Sequence, residues 1–456
     1  MKRSILITLS SIFRFSFCLA QWDSVQHGVI SNNEGNSGNG IYALANYKGA
    51  LYVGGIFDSA GNQLANNIAT WDGVNWNIVS NVNGEINAFA TYNGDLIVGG
   101  SFDSAGGVPY SNIAQWNGTA WSSLGLGISK GSINEMTVYN GNLYVAGYFD
   151  SAGGQPTKNI AMWNGSVWSP VGSINGEAYA AVYSLSVYKG NLYAGGYFDS
   201  AGGVQAKNIA MWNGSTWASL GSGIKDSFIC AFTVFNGELY AGGLLTFHKG
   251  GQMGILYKWN GTLWSLVGTG VTGVSKLIPN SVYALYVYDS AVCVGGSFDS
   301  IGGIKANDVA FWNGTNWGTF GSGMGIYGTP VSSFCSYNSV LYAGGLFDSA
   351  GGVQANNIAQ WGGPLAMNSV EDNRGDVNVF PNPSDGRFTI RSSVNSRQSL
   401  LEIYSVLGEK IYQESLRRAQ GDCMIDLSNQ PGGVYFYRII AENSNVLGSG
   451  KLIIQK

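Results

Sequence analysis

Leu192-Tyr193-Ala194-Gly195-Gly196-Tyr197-Phe198-Asp199-Ser200-Ala201-Gly202-Gly203, followed by Asn208-Ile209-Ala210-Met211-Trp212-Asn213-Gly214-Ser215-Thr216-Trp217, decides the fold of this 456-residue chain, because the chain repeats it. The first block recurs with its Phe at Phe57, Phe102, Phe149, Phe198, Phe298 and Phe347, at spacings of 45, 47, 49, 100 and 49 residues. The 100 is a double step, since Leu239-Tyr240-Ala241-Gly242-Gly243 opens a degenerate copy with Leu245 in the Phe position. The second block places paired Trp at 71/76, 116/121, 163/168, 212/217, 259/264 and 312/317. A period of this length marks an architecture of stacked, similar units.

Two of the 14 Trp are left over: Trp361 lacks its second partner and Trp22 its first. Trp22-Asp23-Ser24-Val25-Gln26-His27-Gly28 reads like the segment after each second Trp, such as Trp217-Ala218-Ser219-Leu220-Gly221. The N-terminus therefore supplies the last strand of the unit that the C-terminal end begins. A ring closed on itself explains this, and an open capped solenoid does not. The expectation is an all-β, seven-bladed β-propeller over residues 21–361 with four-stranded blades. Strand a is Val-x-Ala-Leu-x-Val-Tyr (Val282 to Tyr288), strand b Leu-Tyr-x-Gly-Gly, strand c Asn-Ile-Ala-x-Trp, and strand d starts at the second Trp. Asn-Gly turns accept positive φ cheaply and join a to b and c to d. The double Gly is expected to let neighbouring blades pack closely. Composition agrees: 68 Gly, 25 Tyr and only 11% charged residues suit short strands and tight turns.

The ends read as addresses. Met1-Lys2-Arg3 and the apolar run to Ala20 form a secretory signal peptide over residues 1–20. Of 9 Arg, two lie in that segment and the other seven lie at or after Arg374, where Trp has stopped. A polar linker over residues 362–376 separates the two regions. The stretch from Trp22 to Trp361 has 10 Lys against 17 Asp and Glu, a balance of −7, while the tail has 10 of each sign. An acidic surface and a net charge of −4 argue against nucleic acid. After removal of the signal no apolar run reaches the ~20 residues of a membrane span.

Residues 377–456 alternate apolar positions between Gly, Pro and Asn turns, as a small β-sandwich would. The Val379-Phe380-Pro381-Asn382-Pro383 opening, Leu401-Glu402-Ile403-Tyr404-Ser405-Val406-Leu407-Gly408, Pro431-Gly432-Gly433-Val434-Tyr435 and the closing Lys451-Leu452-Ile453-Ile454 resemble the C-terminal sorting domain of the type IX secretion system of Bacteroidota. That resemblance implies the type IX machinery as a partner, export across the outer membrane, and then surface attachment or release, with removal of the tail. The repeat is similar to kelch-type propellers, and closer to secreted bacterial propellers with paired Trp. Its short Trp-Asn-Gly-x-x-Trp hairpin departs from kelch repeats, so no kelch functional residue transfers.

Sites are less legible. Asp58, Asp103, Asp150, Asp199, Asp299 and Asp348 ring one face, and the expected role of each carboxylate is to cap its own turn. One carboxylate per loop is a poor offer to Ca²⁺, which takes 6–8 oxygens. Ser59, Ser104, Ser151, Ser200, Ser300 and Ser349 follow them in an Asp-Ser-Ala/Ile pattern resembling the O-glycan acceptors of exported Bacteroidota proteins. The Asn-Gly-Ser/Thr sequons at Asn117, Asn164, Asn213, Asn260 and Asn313 read as hairpin turns. With two His, His27 and His248, in separate units, neither a metal site nor a catalytic residue is assigned, and no cofactor is implied. Cys230, Cys293, Cys335 and Cys423 read as small core residues. What breaks the repeat points to a ligand site: in unit five Phe247, His248 and Lys249 replace the standard loop, and Lys276 lies in the long connection after it. The expected function is a non-catalytic, secreted or cell-surface module binding a glycan or protein. The alternatives are a propeller enzyme, a polysaccharide lyase or hydrolase using Asp and Tyr in a central channel, and a structural surface-layer component.

Overall fold

The computed structural model describes residues 21–31, 39–177, 179–224, 227–245, 256–268, 271–272, 280–325, 330–362, 377–392, 398–405, 410–417, 423–441 and 446–456. Every named element is a β-strand. Contacts divide the chain into two units, residues 1–367 and 368–456.

In the fourth repeat, strands Ala181–Tyr188, Asn191–Tyr197, Ile209–Trp212 and Trp217–Ser219 pair in that order, all antiparallel. The same four-stranded pattern recurs along the first unit. In one place two such sets join through the single pair Leu244–Ser281. The leftover tryptophans meet: Trp22 pairs with Trp361, so Trp22–Ser24 becomes the outer strand beside Ile358–Trp361.

The turns behave as their composition demands. Lys189-Gly190 and Asn93-Gly94 both have positive φ, 47°/75° and 50°/86°, as a two-residue hairpin turn requires. In the c–d turns the Asn side chain accepts two backbone N–H bonds. Asn213 Oδ1 takes those of Ser215 at 2.9 Å and Thr216 at 2.8 Å, which accounts for the sequon pattern.

Successive sheets are stitched together by their aromatic residues. The Tyr ending strand a donates its hydroxyl to a carbonyl in the a–b turn of the next unit: Tyr139 to Gly190 at 3.1 Å, Tyr188 to Gly237 at 2.8 Å, Tyr288 to Ser339 at 2.9 Å. The series returns to its start, for Tyr337 donates to Gly49 O at 2.8 Å and Asp72 O at 3.0 Å. The second Trp reaches back in several units: Trp217 Nε1 donates to Val171 O at 2.6 Å, Trp168 to Leu124 O at 2.7 Å, and Trp22 to Phe320 O at 3.2 Å. Trp22 thus takes the part of a second Trp across the two ends of the chain. Removing the Tyr337 hydroxyl (Tyr337→Phe) deletes two of the bonds that join the ends. It should cost about 1–2 kcal/mol, read as a lower melting temperature without loss of β-structure.

The paired glycines divide two tasks that the sequence assigns to one. A Cβ on Gly195 would sit 2.5 Å from Ile229 and 2.7 Å from Phe232 of the next sheet, so this position does serve close packing between sheets. A Cβ on Gly196 would sit 2.1 Å from Ala181 O in its own sheet. The second Gly is required by a β-bulge in strand a, seen as a register shift between Val182 and Ser184.

The Asp-Ser-Ala-Gly-Gly segment is a hairpin rather than a plain turn. Ser200–Ala201 pairs with Val204–Gln205, and Ile174–Asn175 from the preceding connection adds a third strand. Asn208 pins this assembly from a left-handed conformation, φ 63°. Its Oδ1 accepts Phe198 N–H at 3.1 Å and its Nδ2 donates to Ile224 O at 3.1 Å. Asn67, Asn112 and Asn159 make the same two bonds in their units.

The second unit packs a three-stranded sheet (Val377–Phe380, Arg387–Ser392, Cys423–Asp426) with a four-stranded one (Lys410–Arg417, Gln398–Ser405, Gly433–Ala441, Val446–Ile454). Phe388, Leu401, Ile403, Tyr437 and Leu452 fill its core. Glu402 is covered by its own partners, Tyr404 Oη at 2.6 Å, Arg438 Nε at 2.7 Å and Lys410 Nζ at 2.9 Å. Those hydrogen bonds, that of Tyr404 foremost, hold its carboxyl down at about 2.

Candidate functional site

Strand a is the innermost strand of each sheet, and residues from all seven of these strands line one polar cavity of about 180 Å³. The bulge in each strand shapes the lining. Bulged positions are Tyr42, Asn87, Asn134, Tyr183, Cys230, Tyr283 and Ser332, and they lie near the ends of the strands that the d–a connections enter. Asn87 Nδ2 donates to Ile133 O and Asn134 Nδ2 to Val182 O, each at 3.0 Å, so the amides brace the next strand.

The position after the bulge is Ala or Ser in six units (Ala43, Ala88, Ser184, Ala231, Ala284, Ser333) and Glu135 in the third. Glu135 keeps some exposure because it opens on the cavity, yet burial dominates its titration and pushes its carboxyl up to about 7. Its Oε1 accepts the N–H of Met136 at 2.9 Å. Burial, then the charge of Glu85, raises the Tyr42 phenol to about 12. Glu85 itself is raised by burial. Tyr183 and Tyr283 are raised mainly by burial as well. Hydroxyls, amides and aromatic faces around one carboxyl can hold a small polar ligand or exchange a proton with it.

Phe247, His248, Lys249 and Lys276 lie outside the described residues. The six Ser of the Asp-Ser pattern are all half-buried strand residues at the same place in their hairpins. The neighbouring carboxylates differ in their partners: Asp348 accepts the hydroxyl of its own neighbour Ser349 at 2.8 Å, while others reach further along the chain. Asp58 accepts the Ser31 hydroxyl at 3.3 Å, and Asp199 accepts Lys207 Nζ at 2.6 Å and Glu177 N–H at 3.3 Å. The main chain of the Asp closes the hairpin base, as in Ala206 N–H to Asp199 O at 2.8 Å. Cys293 and Cys335 are buried, whereas Cys230 is half-buried and lines the cavity. Among the described residues no group of three His, Cys, Asp or Glu could hold a metal.

The sequence reading overlooked Glu135, Glu85 and the bulge residues. The signal for Glu135 was present, as one charge in a column of small residues. It gained meaning only once that column was seen to face the cavity.

Residues 378–455 match the family described as the secretion system C-terminal sorting domain. The tail is a type IX sorting domain. The protein that carries it is secreted or displayed on the outer surface of a Bacteroidota cell. No helix among the described residues is long and apolar enough to cross a membrane. No curated protein matches the chain. Similar solved structures include the extracellular domain of a hybrid two-component system of B. thetaiotaomicron, at 11% identity and TM-score 0.45 over 95% of this chain. The chain spans 59% of that domain's length. A fungal alcohol oxidase of the AA5 family, in complex with copper, aligns at 13% identity and TM-score 0.45, over 96% of this chain and all of that one. A Bacteroides ovatus xyloglucan GH43B aligns at 10% identity and TM-score 0.27, over 71% of this chain and 90% of that one. At those scores none bears on what this chain binds.

Proposed function

We propose that residues 21–361 form a seven-bladed β-propeller with kelch-like repeats, carried outside the cell by the sorting domain to act as a non-catalytic binding module for a glycan. The ring reading is supported by the pairing of Trp22 with Trp361 and by the Tyr337 bonds to Gly49 and Asp72. The observation that carries the binding reading is the polar cavity to which all seven inner strands contribute. A sugar offers hydroxyls to Asn and Ser side chains and an apolar ring face to Tyr.

Glycan-array binding by the full chain without its signal peptide tests this. The expected result is retention of a restricted set of glycans, lost on Tyr42→Ala or Tyr283→Ala and unaccompanied by any new product. Retention abolished instead by replacing Phe247, His248 and Lys249 with a standard Asp-Ala-Gly loop would move the site to unit five, with Lys276 beside it. A blank array would favour a protein ligand or a structural surface coat.

Glu135 favours one second reading. A carboxyl held near 7 suits a general acid, so a polysaccharide lyase or hydrolase is the alternative, and release of product from polysaccharide extracts would establish it. The signal peptide, removal of the tail on export, and O-glycans on Ser59, Ser104, Ser151, Ser200, Ser300 and Ser349 belong to the same proposal. An intact mass of the native secreted protein equal to that of its bare polypeptide would exclude the glycans.

A further inference from the structure

Among the described residues lining the cavity Glu135 is the only charged side chain, and none of them is Lys, Arg or His. The scaffold does not ask for a carboxyl there, since the other six units use Ala or Ser. Placing one among protein atoms carries a desolvation cost that the single bond from Met136 N–H does not offset. The rest of the lining is complementary to a cation that also carries hydroxyls. Tyr42 and Tyr283 offer ring faces, and Asn87, Ser332 and Ser333 offer hydrogen-bonding groups. A volume of about 180 Å³ corresponds to roughly six waters at ~30 Å³ each. That is room for a monosaccharide unit.

We propose that the cavity binds a protonated amino group, brought into it by a single amino-sugar unit that pairs its ammonium with Glu135. The proposal rests on the binding-module reading and names its ligand chemistry. A neutral hexose could use the hydroxyl and amide groups but would leave the carboxylate without a counter-charge. An N-acetylated sugar has no charge to offer.

Calorimetric titration of D-glucosamine, D-glucose and N-acetyl-D-glucosamine into the full chain without its signal peptide is the test. At pH 7 glucosamine should bind at least ten-fold more tightly than the other two. Glu135→Gln, an isosteric change, should remove that preference without lowering the melting temperature, and at pH 7 should raise it, because the amide does not carry the cost of a buried charge. Lowering the pH to 5.5 should weaken glucosamine binding to the wild type roughly 15-fold, as a carboxyl near 7 takes up its proton while an amine of pKa about 8 stays charged. Tyr42 and Tyr283, raised by burial, keep their protons at both pH values. Cys230, which also lines the cavity, and Glu85, whose charge acts on Tyr42, are unchanged in Glu135→Gln, so a slope that survives in the variant is not that of Glu135. Equal binding of glucose and glucosamine, or a preference unchanged in the variant, would overturn the amine proposal and leave a neutral-sugar module standing. Binding of none of the three would overturn it as well, and with a blank glycan array the glycan-binding reading would fall too.

Discussion

Gly196→Ala should abolish the folded state of the first unit or lower its melting temperature drastically, while Gly203→Ala, seven residues away, should lower it only slightly. The Cβ added at Gly196 would lie 2.1 Å from Ala181 O and 2.8 Å from Val182 Cα. Both are backbone atoms of the adjacent strand, so no side chain can swing aside. Relief requires undoing the bulge at Tyr183, which would move Ser184 at the cavity. Overpacking that neighbours cannot relax ranks with the largest single-residue effects, here more than ~4 kcal/mol, against a usual total stability of ~5–15 kcal/mol. Gly203 has nothing within 4 Å of its Cβ position, and its φ of 84° makes strain the only penalty, about 1 kcal/mol. Thermal melts of the two variants side by side check the contrast. A Gly196→Ala variant melting within a few degrees of the wild type would show that the bulge is not rigid.

Asp308→Asn should stabilise the protein at pH 8 by up to a few kcal/mol and change little at pH 4.5. Asp308 stands where other units have Asn, in the same left-handed conformation at φ 70°. It accepts Phe298 N–H at 2.8 Å, as the Asn residues do from their own Phe. Those Asn also donate to a carbonyl in the d–a connection, as Asn67 does to Val82 at 2.9 Å. Met324 holds that place in unit six, its N–H bonded to Asn307 O at 2.9 Å. An ionised Asp308 has no proton for it, whereas a neutral carboxyl does. Burial, and then the charge of Asp299, raises its carboxyl to about 7, well above the ordinary aspartate range. A raised acid means that the folded state holds its proton more tightly than the unfolded state. The contribution is therefore fully present below pH ~4 and is lost as pH rises toward 7, by at most about 4 kcal/mol. Asn supplies the donor at every pH and tolerates the positive φ. Melting temperatures of wild type and variant from pH 4.5 to 8 should diverge with rising pH; parallel curves would show that Asp308 is already satisfied as a carboxylate.

Repetition made the unit, its turns and the meeting of the two ends legible in the sequence. Trp22 without a first partner and Trp361 without a second could be matched from residue order alone, because each strand's side-chain pattern is local and recurs. The sorting domain was legible for the same reason, its motifs being short and in order. The double Gly shows where that reading stops. Both glycines lie in one strand and look alike in sequence, but Gly195 faces the next sheet and Gly196 faces a carbonyl of its own. The Asn of Asn-Ile-Ala read as the start of a strand, and only its bonds to Phe198 N–H and Ile224 O identify it as the pin of the connecting hairpin.

Sequence by itself determined what depends on local pattern: short strands, tight turns, the number of copies, a chain whose ends must meet, and the address on its tail. Tertiary structure alone decided what depends on which backbone atoms approach across strands. Seven separated strands bring residues at or beside their bulges to one cavity, and enclosure by distant strands makes Glu135 a carboxyl near 7 rather than an ordinary surface glutamate. Periodicity records which residues are alike, but a site is made where unlike residues from different copies converge, and that convergence is set by packing.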